Sequence, residues 1–120
     1  MGMKHNRKGR YLGRTGAERH ALYRNLLVSA VEHERIKTTE AKAKEIQPML
    51  EKLITTARVD TPHNRAQIMS ALNNKLLTAK LFEYIAPRFI NRNGGYSRIY
   101  QLGYRLGDHA HICLLEILES

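Results

Sequence analysis

Arg88, Arg92, Arg98 and Arg105 fall within residues 87–108, PRFINRNGGYSRIYQLGYRLGD, where no lysine occurs and Asp108 is the first acid. Gly94 and Gly95 stand among them, and Tyr96, Tyr100 and Tyr104 follow. A guanidinium presents a planar fork of donors that matches phosphate oxygens. Adjacent glycines let a partner approach the bare backbone and leave N–H groups free to donate. Tyrosine rings offer faces on which an unpaired base can stack. The chemistry these residues suit is contact with RNA or DNA; a charged, solvated hairpin is the plain alternative. Arg88, Arg92 and Arg98 are expected to set a loop on folded nucleic acid, with Asn93, Gly94 and Gly95 at the closest approach. Tyr96, and after it Tyr100, are the stacking candidates, and a place in the sheet core is the equal alternative for Tyr96.

A second acid-free basic stretch lies at the other end. Residues 1–14, MGMKHNRKGRYLGR, carry Lys4, His5, Arg7, Lys8, Arg10 and Arg14. Their large apolar residues do not recur at helical spacing, and Gly2, Gly9 and Gly13 weaken any regular element. The stretch is expected to be an extended arm that lies on a phosphate backbone, each basic group releasing condensed counterions. The alternative is a solubilising tail. Arg19 and Arg24 extend the basic surface onto the first helix. The division expected is an arm over 1–14 and one RNA-binding domain over 15–120.

The whole chain agrees with that chemistry. Its 120 residues suffice for one core, and 42% of them are hydrophobic. Lys and Arg number 20 against 11 acids, a formal charge of +9 with a pI near 10. Such an excess favours a polyanion. An anionic membrane would want the bases on one amphipathic helix or beside a lipid anchor, and Asn6 stands where a myristoylation signal wants Ser or Thr. No apolar run approaches the roughly 18 residues that span a bilayer, and no apolar stretch follows the basic start as a secretory signal requires. Cys113 is the one cysteine, so no intrachain disulfide can form and a reducing cytosol fits. Neither a membrane nor a small-molecule substrate is expected as partner.

The elements that would position these residues read as an α+β fold. Thr15-Gly16-Ala17-Glu18 has the form of a capping box and opens a helix to about residue 33, with Leu22, Leu26, Leu27, Ala30 and Val31 as its apolar stripe. Residues 35–38 read as a short strand. Thr39 caps a helix over about 40–58 that buries Ile46, Leu50, Leu53, Ile54 and Ala57, and Pro48 is expected to kink or distort it. Thr61-Pro62 starts a third helix to about Leu72, with Ile68, Met69 and Leu72 inward. Asn73-Asn74 breaks it. A fourth helix runs from Lys75 to about Ala86, where Pro87 pushes the preceding residue out of helical space and ends it. Residues 96–104 alternate as a strand, Gly107-Asp108 turns, and 111–118 form a second strand. A lone hairpin is marginal, so the 35–38 strand is expected to join it. The result is about four helices on a small, mainly antiparallel three-stranded sheet, with the basic arm outside.

Catalytic and metal chemistry find little support. No GxxxxGK[ST] or GxGxxG loop is present. His33-Glu34 begins a zinc-protease pattern that Lys37 breaks, and Glu32 and Glu34 read as a solvated pair. Cys113 sits between Ile112 and Leu114 and reads as a buried thiol. His109, His111 and Cys113 would share a strand face, but alternate residues stand about 6.6 Å apart at a rise of about 3.3 Å, too far for three in a row on one ion. No catalytic residue, cofactor or metal is expected. Two rival functions remain. A DNA-binding regulator would lay a central helix in a major groove, although those helices are nearly charge-balanced. An RNA-processing factor would need an acid or base in the basic surface, for which His5, His20 and Asp108 are the candidates.

Several pieces occur together in one order: Lys4-His5 with the arm, Ile36-Lys37-Thr38-Thr39 leading to Lys42-Ala43-Lys44-Glu45, Leu53-Ile54-Thr55, Lys80-Leu81-Phe82, and Pro87-Arg88-Phe89. Arg92 through Tyr96, Arg98-Ile99 and Gly107-Asp108 complete the series. It resembles the bacterial large-ribosomal-subunit protein seventeen family over nearly the whole chain. The resemblance implies a structural RNA-binding protein on the outer surface of the large subunit, towards the exit side of the peptide tunnel. It implies helices packed on a small sheet, no enzymatic activity and no cofactor. Large-subunit ribosomal RNA and neighbouring ribosomal proteins would be the partners, in the cytoplasm, with the arm and the Gly-Gly segment on RNA.

Overall fold

The computed structural model describes residues 16–120. The elements run α1 (Gly16–His33), β1 (Arg35–Thr39), α2 (Glu40–Ala57), α3 (Pro62–Leu72), α4 (Lys75–Lys80), β2 (Ser97–Tyr104) and β3 (His111–Ile117). Between α4 and β2 come a π turn, Leu81–Ile85, and a 3-10 turn, Ala86–Phe89. The fold is α+β, four helices on a three-stranded antiparallel sheet, as the patterning predicts.

Local side-chain chemistry sets most boundaries. Thr39 accepts from the Lys42 amide (3.4 Å) and Thr61 from that of Asn64 (3.1 Å), each satisfying a donor that the first helical turn leaves open. The Asn73-Asn74 break divides its work. Asn73 adopts the left-handed conformation (φ 51°) and closes α3 by donating to the Met69 carbonyl, whereas Asn74 caps α4 by accepting from Leu77 N (3.0 Å). Pro48 lies inside a helix that is α-helical without interruption from Glu40 to Ala57. Met69, expected inward beside Ile68, is partly exposed instead.

The fourth helix departs from expectation. Regular α geometry stops at Lys80, and helical winding continues through Pro87 to Phe89. Ala86 keeps right-handed helical dihedrals (φ −60°, ψ −36°), although a proline follows it. The wider π turn explains this: Ala86 N–H reaches back five residues to the Leu81 carbonyl, and Pro87 then occupies the first turn of the 3-10 segment, where its missing N–H is harmless. Leu81, Phe82, Ile85, Ala86 and Phe89 all reach the core through this change of winding.

The strand order is β1-β3-β2, so the hairpin's second strand is central and β1 completes the sheet. Cys113, Leu115 and Ile117 face inward and are buried, joined by half-buried Ile36 and Ile99 in the row of Leu115. Against them stand Ala43, Ile46, Leu50 and Ile54 of α2 and Ala30 and Val31 of α1. A bulge between Gln101 and Gly103 breaks the alternation expected over 96–104. Tyr104 therefore pairs with His111, their rings 4.5 Å apart, on the face opposite that of Tyr100.

Candidate nucleic-acid interface

The segment between Phe89 and β2 is a braced loop. Arg92 N–H closes its first turn onto the Phe89 carbonyl (2.9 Å). Gly94 (φ 150°) and Gly95 (φ 68°) take conformations that side chains disfavour, and a Cβ at either would meet no atom within 4 Å. Space above both is therefore open to a partner. From α2, Glu51 accepts from the amides of Tyr96 (3.2 Å) and Ser97 (2.9 Å) and from the Ser97 hydroxyl (2.6 Å). Arg58, just past the end of α2, donates to the Arg92 carbonyl and to Asn93 Oδ1 (3.5 Å). On the far side Leu118 N–H donates to the Tyr96 carbonyl (2.9 Å).

Tyr96 sits in the core, with no ring face open to solvent. It is fully buried, its ring 5.0 Å from that of Phe89, and its hydroxyl donates to the Arg92 carbonyl (3.2 Å) while sharing a hydrogen bond with Thr55 (3.0 Å). The core alternative is the one realised, because a tyrosine that ends a loop can anchor it from below.

The arginines, alike in sequence, divide into two kinds. Arg88 is committed inward: Nη1 lies 2.7 Å from Glu34 Oε1 and donates to the Leu118 carbonyl (3.2 Å). Lys80 joins the same carboxylate at 3.3 Å. The Arg88 hydrogen bond, opposed by partial burial and helped by Lys80, holds the Glu34 carboxyl below its ordinary range. Arg105 is likewise spent on Asp108, with bonds of 3.2 and 2.6 Å. That bond, followed by one from Ala110 N–H, lowers Asp108 to about 2.

Arg92 and Arg98 remain available. Arg92 is exposed and donates only to main-chain oxygens, those of Ser120 (3.2 Å) and Gly95 (3.4 Å), so no side-chain carboxylate among the described residues neutralises it. Arg98 is exposed on the outer face of the sheet. On α1, Arg24 is exposed, and Arg19 lies 6.0 Å over the Tyr23 ring. Lys4, His5, Arg7, Lys8, Arg10 and Arg14 lie outside the described residues, as does Thr15.

Arg35 and Lys37 are not among the contacts the sequence points to, yet they share that outer face with Arg98. The signal was present: in a strand that joins the sheet through Ile36, the residues on either side must face out. Cys113 is buried and its thiol donates to Gln101 Oε1 (3.5 Å); burial raises it above the usual thiol range, which suits a structural group. Among the described residues no cluster of His, Cys, Asp and Glu could hold a metal ion, and no helix is long and apolar enough to cross a membrane.

Comparison with known proteins finds relatives over nearly the whole chain. The family model described as Ribosomal protein L17 matches residues 22–118. The Large ribosomal subunit protein bL17 of Thermomicrobium roseum is 49% identical over 97% of this chain and 99% of its own length. That of Chloroflexus aggregans is 47% identical over 97% and 100%, and that of Trichlorobacter lovleyi 47% over 98% and 95%. With the match spanning helices, loop and sheet together, this chain belongs to the ribosomal protein L17 family.

Proposed function

We propose that this protein is a non-catalytic structural constituent of the large ribosomal subunit, in the cytoplasm, where it binds and stabilises folded ribosomal RNA beside neighbouring ribosomal proteins. Lys4, His5, Arg7, Lys8, Arg10 and Arg14 of the arm neutralise phosphates, and Arg19 and Arg24 continue that surface. Arg92, Asn93, Gly94 and Gly95 set the braced loop on RNA, with Arg98 behind them. One observation carries the reading for the loop: an exposed guanidinium with no side-chain carboxylate on it among the described residues stands beside two glycines under open space, on a backbone clamped by Glu51 and Arg58. A loop ordered before binding loses little freedom on docking. Phosphate contacts of this kind position a protein without reading sequence.

The test is binding of the full chain to large-subunit rRNA fragments and to duplex DNA over a salt series, with a nuclease assay alongside. Arg92→Ala should weaken rRNA binding several-fold. Removal of residues 1–14 should weaken it steeply and leave helical circular dichroism unchanged. Tighter binding to duplex DNA, or RNA turnover that a His20 substitution abolishes, would overturn the proposal.

A further inference from the structure

We propose that the open face of the sheet is a second RNA contact, specialised for an unpaired nucleotide that stacks on Tyr100 while Lys37 and Arg98 hold its phosphates. This rests on the RNA-binding reading above and adds a site and a ligand class to it.

The face is built by register. One cross-strand row is Lys37, Leu114 and Tyr100, and the next is Arg35, Glu116 and Arg98. Thr39 and Ile112 continue it towards the bulge. The helices pack on the opposite face, where Cys113, Leu115 and Ile117 are buried, whereas no residue of these outer rows is buried. Tyr100, on the edge strand β2, is 38% exposed beside half-buried Leu114 of the central strand, an aromatic ring next to an apolar floor.

The charges select the occupant. Three cations, Arg35, Lys37 and Arg98, stand against the single carboxylate of Glu116. Glu116 pairs with Arg35 at 3.8 Å, and neither Lys37 nor Arg98 has an ion pair among the described residues. Two uncommitted cations thus flank a ring and an aliphatic side chain. Duplex RNA would use the cations and leave the apolar floor without a partner, because its bases are stacked inside the helix. A splayed base uses both, its face on the ring and its phosphates on the bases around it. An acidic protein segment is the competing occupant, and it needs the cations but no aromatic floor.

The experiment measures the full chain against a labelled single-stranded oligouridine, the same strand in a duplex, and a structured rRNA fragment, with ultraviolet crosslinking to locate the oligouridine. Tyr100→Ser should weaken the oligouridine by about five- to a hundredfold, the range expected for losing one stacked base. Tyr100→Phe should retain it, and crosslinks should fall on β2. The structured fragment should be little affected by Tyr100→Ser, which also reports that the variant is folded. Equal oligouridine binding by wild type and Tyr100→Ser, crosslinks confined to other elements, or displacement by poly-glutamate as effective as by unlabelled oligouridine would overturn the proposal alone. Failure of wild type to bind the structured fragment as well would overturn the underlying RNA-binding reading with it.

Discussion

A glutamate at φ 63° is an unusual way to leave a helix. Glu34 follows the last residue of α1, where glycine or asparagine is the ordinary occupant, and the left-handed conformation costs about 1–2 kcal/mol for a residue with a Cβ. Its carboxylate offsets that cost by bridging Arg88 at 2.7 Å and Lys80 at 3.3 Å, tying α1 to the helical segments on either side of the π turn. Glu34→Ala, which keeps the strain and loses the bridge, should destabilise by about 1–2 kcal/mol in urea unfolding. Glu34→Gly should be the milder change by about 1 kcal/mol, since it relieves the backbone. The pH dependence follows from the lowered carboxyl: its folded pKa lies below its unfolded value, so its contribution is complete above the unfolded value and disappears as pH falls through the folded one. The stability gap between wild type and Glu34→Gln should therefore be full at neutral pH and close in acid. At Tyr96, replacement by Phe removes the hydroxyl bonds to Thr55 and Arg92 and should cost about 1 kcal/mol while leaving RNA affinity unchanged. An RNA-affinity loss without a stability loss would return Tyr96 to the interface.

At the scale of elements, what was legible in sequence was what neighbouring residues decide. Thr39, Thr61 and the Asn pair mark helix ends by bonds that span three or four residues, so their types announce them. Asn74→Ala should accordingly cost about 1 kcal/mol, measured by thermal or urea unfolding, because Leu77 N–H loses its acceptor. The π turn and the β2 bulge were not legible. Both answer to partners beyond their own turn: the winding ends at Phe89, whose ring meets Tyr96 of the next segment, and the bulge lies in the pairing of β2 with β3. Proline alone therefore misplaced a boundary that the winding before it had already made safe. The candidate site divides the same way. Gly94 and Gly95 announce an open turn by type, whereas the bracing by Glu51 and Arg58 joins positions roughly forty apart in sequence and leaves no local trace.

For the whole molecule, the charge excess pointed to a polyanion but could not say which cations are free. Residue type treats Arg88, Arg92, Arg98 and Arg105 alike; the fold pairs the first with Glu34 and the last with Asp108, and leaves the middle two without a side-chain carboxylate among the described residues. The salt dependence of rRNA binding distinguishes them. Each phosphate neutralised adds roughly 0.7–0.9 to the slope of log affinity against log salt. Arg92→Ala should lower that slope by about one, the loss of one phosphate contact. Arg105→Ala should leave it unchanged near neutral pH, since Asp108, lowered to about 2, stays ionised there and already holds the guanidinium. The slope reads the number of contacts rather than their strength, so a variant that merely loosened the fold would weaken binding without shifting it in this way. A slope that fell equally for Arg92→Ala and Arg105→Ala would mean that the surface acts through its total charge, and that the braced loop has no privileged part in binding.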